Sequence, residues 1–235
     1  MNYFFHPTLD SSVSQFAFSP EESRHIVKVL RKKEGDLLHI TNGKGYLFTS
    51  EITLADPKKC VGRVLDTKKT HPSRFELHLA VAPTKRLERF QWFLEKATEI
   101  GVSEITPIYC KRSERDKLSM ERMQRVIQEA MKQSLRTYLP KLNKLTPVSE
   151  FLQSDLPDLR FIAHCEADEK VDLKRRVAPD KDIVILIGPE GDFSRPEIES
   201  AYEAGFLPVS LGRSRLRTET AAIVACATVN LINSA

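Results

Sequence analysis

Two short segments near the C-terminal end of this sequence hold the residue types from which a small-molecule site can be built. Residues 182–194 read DIVILIGPEGDFS, and residues 207–222 read LPVSLGRSRLRTETAA. Each opens as an apolar strand, breaks at glycine and leads into a helix. Gly188 and Gly191 flank Pro189-Glu190 in the first loop, and Gly212 and Leu216 stand in the second. Glycines let backbone amides and carbonyls come close to a flat ligand ring, and strand-end loops are where α/β proteins bind ligands. Neither loop is a phosphate cradle, because GxGxxG and GxxxxGK[ST] are both absent. A dinucleotide-dependent enzyme is thereby disfavoured. Arg217, Thr218, Glu219 and Thr220 form a tight polar cluster just before the last helix. Thr218 can cap that helix and Glu219 favours its positive end, roles compatible with ligand binding. Glu190 reads either as an exposed carboxylate or as an acidic group beside a cation.

The elements that must hold these loops follow from the periodicity. From Phe75 onward, FELHLAVAP, SEITPIYC, FIAHCE, DIVILIG and LPVSLG read as strands. LERFQWFLEKATEIG is an amphipathic helix with Leu87, Phe90, Leu94 and Ala97 on one face and Gly101 as its stop. SMERMQRVIQEAMKQSLR is a second, with Met123, Val126, Ile127, Ala130 and Met131 inward and Arg122, Arg125, Lys132 and Arg136 outward. RPEIESAYEAG is a third, with a Ser194–Glu197 capping box and Gly205 as its stop. TAAIVACATVNLIN is nearly all apolar, so it must be buried, in part by a second subunit.

Ahead of this region the pattern differs. SPEESRHIVKVLR (19–31) is a helix with Ser19 as cap, Pro20 in its first turn and Glu22 completing a capping box. Ile26, Val29 and Leu30 form its apolar face, and Arg24, Lys28 and Arg31 a basic one. LLHIT, an Asn42-Gly43 turn, YLFTSEITL and CVGRVLD then alternate with period two. This predicts a small β-rich domain over residues 1–70 and an α/β domain over 71–235, joined through the polar TKKTHPSR.

The charge is unevenly spread. Residues 111–144 hold 10 basic and 4 acidic side chains, whereas residues 145–235 hold 10 and 15. A basic middle against an acidic last third is expected where one part meets a polyanion. The start, MNYFFHPTLD, lacks the features of a signal peptide, and no apolar run nears the roughly 18 residues of a membrane span. Cys60, Cys110, Cys165 and Cys226 are scattered, form no CxxC, and read as core fillers in a reducing cytoplasm. No zinc spacing occurs, and no metal is expected.

Read together, these motifs resemble a known family. SRHIVKVLR with KEGD, then EKATEIGVSEITPI, KRSER, EAMKQSLRTYLP, LIGPEGDFSRPE and LGRSRLRTETA match in order the knotted (SPOUT) methyltransferases, in the branch that methylates a uridine of small-subunit ribosomal RNA. One departure is at the start, Asn2-Tyr3-Phe4-Phe5, where the family often carries an arginine. The resemblance implies an α/β protein: a small N-terminal PUA-like β-barrel that binds RNA, then a C-terminal trefoil-knot domain. It implies S-adenosyl-L-methionine as cofactor, 16S ribosomal RNA in the small subunit as partner, and a homodimer. Leu186, Ile187, Gly188, Glu190, Gly191, Leu211, Gly212, Leu216, Arg217, Thr218, Thr220 and His164 would hold the cofactor. Taken by itself, His164 reads first as a packing histidine, with cofactor contact as the alternative.

Methylating uracil at N(3) requires loss of a proton and stabilisation of charge on the flanking carbonyls. A guanidinium suits the second task and a carboxylate or water the first. Arg112 in KRSER, then Arg217, then Arg136 are the candidate arginines, with Glu219 and Glu129 as candidate bases. Arg24, Lys28, Arg31, Arg122, Arg125 and Lys132 would meet RNA phosphates. The sequence also admits a knotted enzyme acting on a ribose oxygen or on transfer RNA, and a non-catalytic RNA-binding assembly factor.

Overall fold

The computed structural model describes residues 3–234, so Asn2 of the N-terminal tip lies outside the described residues. The chain divides into two compact units. One runs to Pro72 and includes Met131–Leu139, and the other comprises Ser73–Ala130 and the chain from Pro140.

The first unit holds β1 (Phe4–Phe5), β2 (Gln15–Ala17), α1 (Pro20–Arg24), β3 (Leu37–Thr41), β4 (Tyr46–Leu54) and β5 (Val61–Lys69). They form one sheet in the order β1-β3-β4-β5-β2. Alternation along β3 and β4 sends Leu38, Ile40, Phe48 and Ile52 into a core with Phe4, Phe16, Phe18 and Ile26. The two ends of the sheet meet through side chains: Phe4 and Phe18 stack edge-on at 5.9 Å, and His6 Nε2 lies 3.2 Å from the Ala17 carbonyl. The sheet therefore curls toward closure. The segment 131–139 belongs here because its backbone is bonded in: Gly45 N–H donates to Thr137 O and Leu139 N–H to Gly43 O, each at 2.9 Å.

Helix α1 departs from expectation. Ser19 Oγ does accept from Glu22 N–H at 3.2 Å, but after Arg24 the coil widens into a π-turn over His25–Val29. Of the predicted apolar face only Ile26 is buried; Val29 is 66% exposed and Leu30 45%.

The second unit contains β6 (Leu77–Val81), α2 (Leu87–Ile100), β7 (Glu104–Tyr109), most of α3 (Met120–Gln133), β8 (Lys141–Leu142), β9 (Thr146–Pro147), α4 (Val148–Phe151), β10 (Leu159–Ala163), β11 (Val171–Asp172), β12 (Ile183–Ile187), α5 (Arg195–Glu203), β13 (Leu207–Ser210) and α6 (Thr218–Asn233). Its sheet has the order β11-β13-β10-β12-β6-β7-β8, and every pairing in it is parallel. Both faces are covered, which explains the unbroken apolar run of β12. Val184 and Leu186 point toward α4 and α5, in a core with Phe151, Phe193, Ile198 and Phe206. α2 and α6 pack together on the other side, and α6 also lies against β6 and β12. Only one face of α6 is buried, through Ala222, Ala225, Cys226 and Val229; Leu231 is 73% exposed.

A buried polar knot braces the N-terminal ends of β6 and β7. His78 Nε2 and Asn143 Nδ2 each lie 2.7 Å from Thr106 Oγ1. Burial pushes His78 down to about 4. Burial alone would raise the neighbouring Glu104 carboxyl, but hydrogen bonds from Asn143 and Lys141 outweigh it and hold it below its usual value. Because His78 takes up its proton near 6.5 when unfolded and near 4 when folded, the unfolded state gains protons first on acidification. The native state should therefore lose stability as the pH falls between those values. Urea unfolding at several pH values should show a steeper loss of stability for the wild type than for His78→Gln in that window; parallel curves would refute the assignment.

Candidate functional site

The C-terminal ends of β10, β12 and β13 open into a cleft of about 740 Å³. Three loops line it: residues 163–165 with Lys170, residues 187–190 with Asp192, and residues 209–218. The two glycine loops are not on adjacent strands, since β10 lies between β12 and β13. The loop after β10 supplies the wall between them.

Local hydrogen bonds fix each loop. In the first, Asp192 takes a left-handed backbone (φ 62°), tolerable for an aspartate. Its amide donates to Pro189 O at 2.9 Å, and its carboxylate accepts from Cys165 N–H and Phe193 N–H at 2.7 and 2.8 Å. A Cβ on Gly188 would meet the buried Phe193 ring at 3.0 Å, so a larger residue there would have to displace that ring by a few tenths of an ångström. Arg112 Nη1 donates to the carbonyls of Gly191 and Phe193 at 3.0 and 3.3 Å. Glu197 accepts from Ser194 N–H and from Lys111 N–H, both at 2.7 Å, which ties the KRSER segment to α5. In the second loop Gly212 sits at φ 129°, a backbone that favours glycine. Thr218, buried at the mouth of α6, donates from Oγ1 to the Gly188 carbonyl at 3.0 Å, joining the two loops.

His164 lines the cleft with a fully buried side chain. A chain of groups sets its protonation. Arg195 binds Asp168 at 3.0 Å, and Tyr202 OH donates to Asp168 Oδ2 at 2.7 Å. The tyrosine oxygen is then left to accept from His164 Nε2–H at 2.9 Å. Tyr202 is pushed up to about 12, first by burial and then by the Asp168 carboxylate. Hydrogen bonds from Tyr202 and Arg195 lower Asp168. Burial, with Lys170 nearby, lowers His164. The imidazole is therefore neutral, with Nδ1 as an acceptor that has no partner among the described residues.

Known proteins share this architecture. An RNA methyltransferase domain family matches residues 71–230, and an RNA methyltransferase PUA domain matches residues 18–65. Ribosomal RNA small subunit methyltransferase E of Buchnera aphidicola subsp. Acyrthosiphon pisum is 31% identical, over 92% of this chain and 88% of its own. The chain belongs to the ribosomal RNA small subunit methyltransferase E family. A crystal structure described as a probable rRNA-methyltransferase from Porphyromonas gingivalis superimposes with a TM-score of 0.91, at 39% identity, covering 100% of this chain and 99% of that one. A Legionella pneumophila protein solved with the cofactor SAM bound gives a TM-score of 0.88 at 30% identity, covering 98% and 97%.

Within this family member, the structure gathers Ile187, Gly188, Glu190, Leu211, Gly212, Leu216, Arg217, Thr218 and His164 around one cleft. It places others elsewhere. Leu186 points to the opposite face of the sheet, as period two dictates beside Ile187. Gly191 and Thr220 are outside the lining, and the Gly191 carbonyl is bound by Arg112. Arg112 itself braces a loop. Glu219 is buried, with Oε1 3.7 Å from Arg89 Nε on α2 and Oε2 unpartnered among the described residues. Arg136 and Lys132 belong to the first unit, and only 12% of the Lys132 side chain is exposed, beside Glu22 at 3.8 Å. Arg122 and Arg125 are exposed on α3, bonded to Gln91 and Glu121, and Glu129 is also exposed there. Cys165 is exposed in the cleft rather than filling a core.

Sequence reasoning missed Lys170, Asp192, Arg213 and Arg215 in the lining. The alternating GRSRLR run was the available signal for the two arginines. Among the described residues no cluster of His, Cys, Asp and Glu is placed to hold a metal, and no helix is long and apolar enough to cross a membrane.

Thr218→Val removes the donor that joins the loops and leaves a buried carbonyl unmatched, a cost of about 1–3 kcal/mol. Calorimetry should then show SAM bound about tenfold more weakly, while Thr218→Ser restores both stability and affinity. Wild-type affinity in the valine variant would mean that the link between the loops is dispensable.

Proposed function

We propose that this protein transfers a methyl group from S-adenosyl-L-methionine (SAM) to N(3) of one uridine in 16S ribosomal RNA. It acts on the assembled small subunit, in the cytoplasm, as a homodimer. The cleft carries this reading. Its volume of about 740 Å³ falls within the ~300–1,000 Å³ of small-molecule sites. It sits in a family member 30% identical, over nearly all its length, to a protein that holds SAM.

The residues fit that group. Ile187, Val209, Leu211 and Leu216 offer apolar walls, and the backbone of Gly188 and Gly212 offers polar atoms without side chains. The buried Nδ1 of His164 offers an acceptor that lacks a partner among the described residues. SAM supplies a methyl group on a sulfonium, which needs no metal to react. The protein's part is to orient it and to favour loss of the uridine N(3) proton. Charge then spreads to the two ring carbonyls, where a guanidinium stabilises it. Arg217, exposed at the cleft, is the assigned arginine; Arg112 is engaged with Gly191 and Phe193. Arg213 and Arg215 flank Arg217 and suit RNA phosphates.

The apolar side chains of α6 left uncovered, Leu231 above all, support the homodimer. The trefoil knot expected from the resemblance is supported by the chain's path: it leaves β13, enters α6 beside Gly188, and runs over β12 and β6.

Small ribosomal subunits from cells lacking the protein, incubated with it and methyl-labelled SAM, should gain one N(3)-methyluridine in nucleoside mass spectrometry. Arg217→Ala should lower that rate at least tenfold with SAM affinity nearly unchanged. Label on a ribose oxygen, or only on transfer RNA, would overturn the substrate assignment; no SAM binding at all would overturn the enzyme.

A further inference from the structure

We propose that the π-turned end of the first helix is an RNA-reading wedge, in which Val29 and Leu30 press on unstacked bases while Arg24, Lys28 and Arg31 hold the flanking phosphates. This rests on the reading of the protein as an RNA methyltransferase.

A regular α-helix would have turned Val29 and Leu30 inward with Ile26. The π-turn over His25–Val29, closed by Leu30 N–H donating to His25 O at 2.9 Å, adds a residue per turn and swings them out. Ile26 remains fully buried, while Val29 is 66% and Leu30 45% exposed. π-Turns are rare and concentrate at functional sites. The next residue is strained as well: Arg31 adopts φ 54°, a left-handed backbone uncommon for a long side chain. Lys32 N–H holds it there by donating to Ile26 O at 3.1 Å. Two adjacent local distortions thus serve one outcome, the display of two large aliphatic side chains.

The surroundings define the partner. Arg24, Lys28 and Arg31 are exposed and have no ion-pair partner among the described residues. The nearest carboxylate on the same helix that is held in place, Glu22, already faces Lys132 at 3.8 Å and His25 at 3.9 Å. An apolar tip ringed by unneutralised cations suits a polyanion that also offers apolar surface. Unpaired RNA does, since its phosphates meet the cations and its splayed bases meet the aliphatic side chains.

The two halves of the patch can be separated by salt. Val29→Ser with Leu30→Ser should lower affinity for small ribosomal subunits, and for protein-free 16S rRNA, about tenfold at every ionic strength between about 50 and 200 mM, leaving the slope of log K against log salt unchanged. Arg24→Glu with Arg31→Glu should instead reduce that slope. Both pairs are exposed, so circular dichroism and SAM binding should match the wild type. Unchanged affinity in the serine double variant would overturn the wedge. Where the wild type binds both probes, a loss confined to intact subunits would also overturn it, in favour of a ribosomal protein as the contact. If the wild type binds SAM but neither RNA probe, the parent reading fails, independently of these variants.

Discussion

The Gly188 carbonyl emerges at the end of a strand buried on both faces, and something other than water must bond it. Thr218 does so from 30 residues away at 3.0 Å. Because β10 separates β12 from β13, no ladder joins their end loops directly. This one bond fixes where the second loop returns and where α6 begins. From there α6 runs over β12 and β6 and packs on α2. Displacing Thr218 would disturb the cleft and the start of α6 together. The same position serves as the first residue of a helix and as a cleft wall, so stability and ligand geometry share one hydroxyl.

Most charged groups near the cleft serve its shape. Arg112 holds two carbonyls, Asp192 two amides, and Glu197 two more. Glu190 Oε1 accepts from Lys85 N–H at 2.9 Å. The loops carry little regular structure, and their backbone groups would otherwise lie unpaired at a sheet end where solvent is being excluded. Charge-assisted bonds are about twice as strong as neutral ones, so ionised side chains are suited to this bracing. The arginines of the second loop, Arg213, Arg215 and Arg217, line the cleft and are engaged by no such bond among the described residues.

Much of this was readable in advance, for identifiable reasons. Parallel strands covered on both faces leave long apolar runs, so β6, β10, β12 and β13 stood out. Gly101 and Gly205 marked helix ends because both take positive φ. The glycine loops announced a backbone-lined site. What stayed hidden depends on the third dimension. Nothing in KRSER announces that Arg112 clasps the carbonyls of Gly191 and Phe193, 79 and 81 residues away. The short strands β8, β9 and β11 have two residues each, too few for a period. The relay from Arg195 through Asp168 and Tyr202 to His164 joins a strand end to a helix and has no local signature. Apolar character alone puts both Leu186 and Ile187 at the pocket, whereas alternation lets only Ile187 face it.

The first helix failed in the most instructive way. Periodicity arguments assume 3.6 residues per turn, and that assumption buries Val29 with Ile26. Composition gives no hint of a π-turn, because its cause is not local propensity: the register slips between a buried Ile26 and a chain that must leave toward β3. Lys32 N–H on Ile26 O records that exit. A regular helix would have hidden more of Val29 and Leu30, which stay 66% and 45% exposed, at a gain below the about 1.5–3 kcal/mol of fully burying an exposed side chain. A fold that forgoes this burial and adds a left-handed arginine has traded stability for display. Strain of this kind persists where the exposed surface itself is used, which makes the distorted turn, rather than the regular part of α1, the informative feature of the small unit.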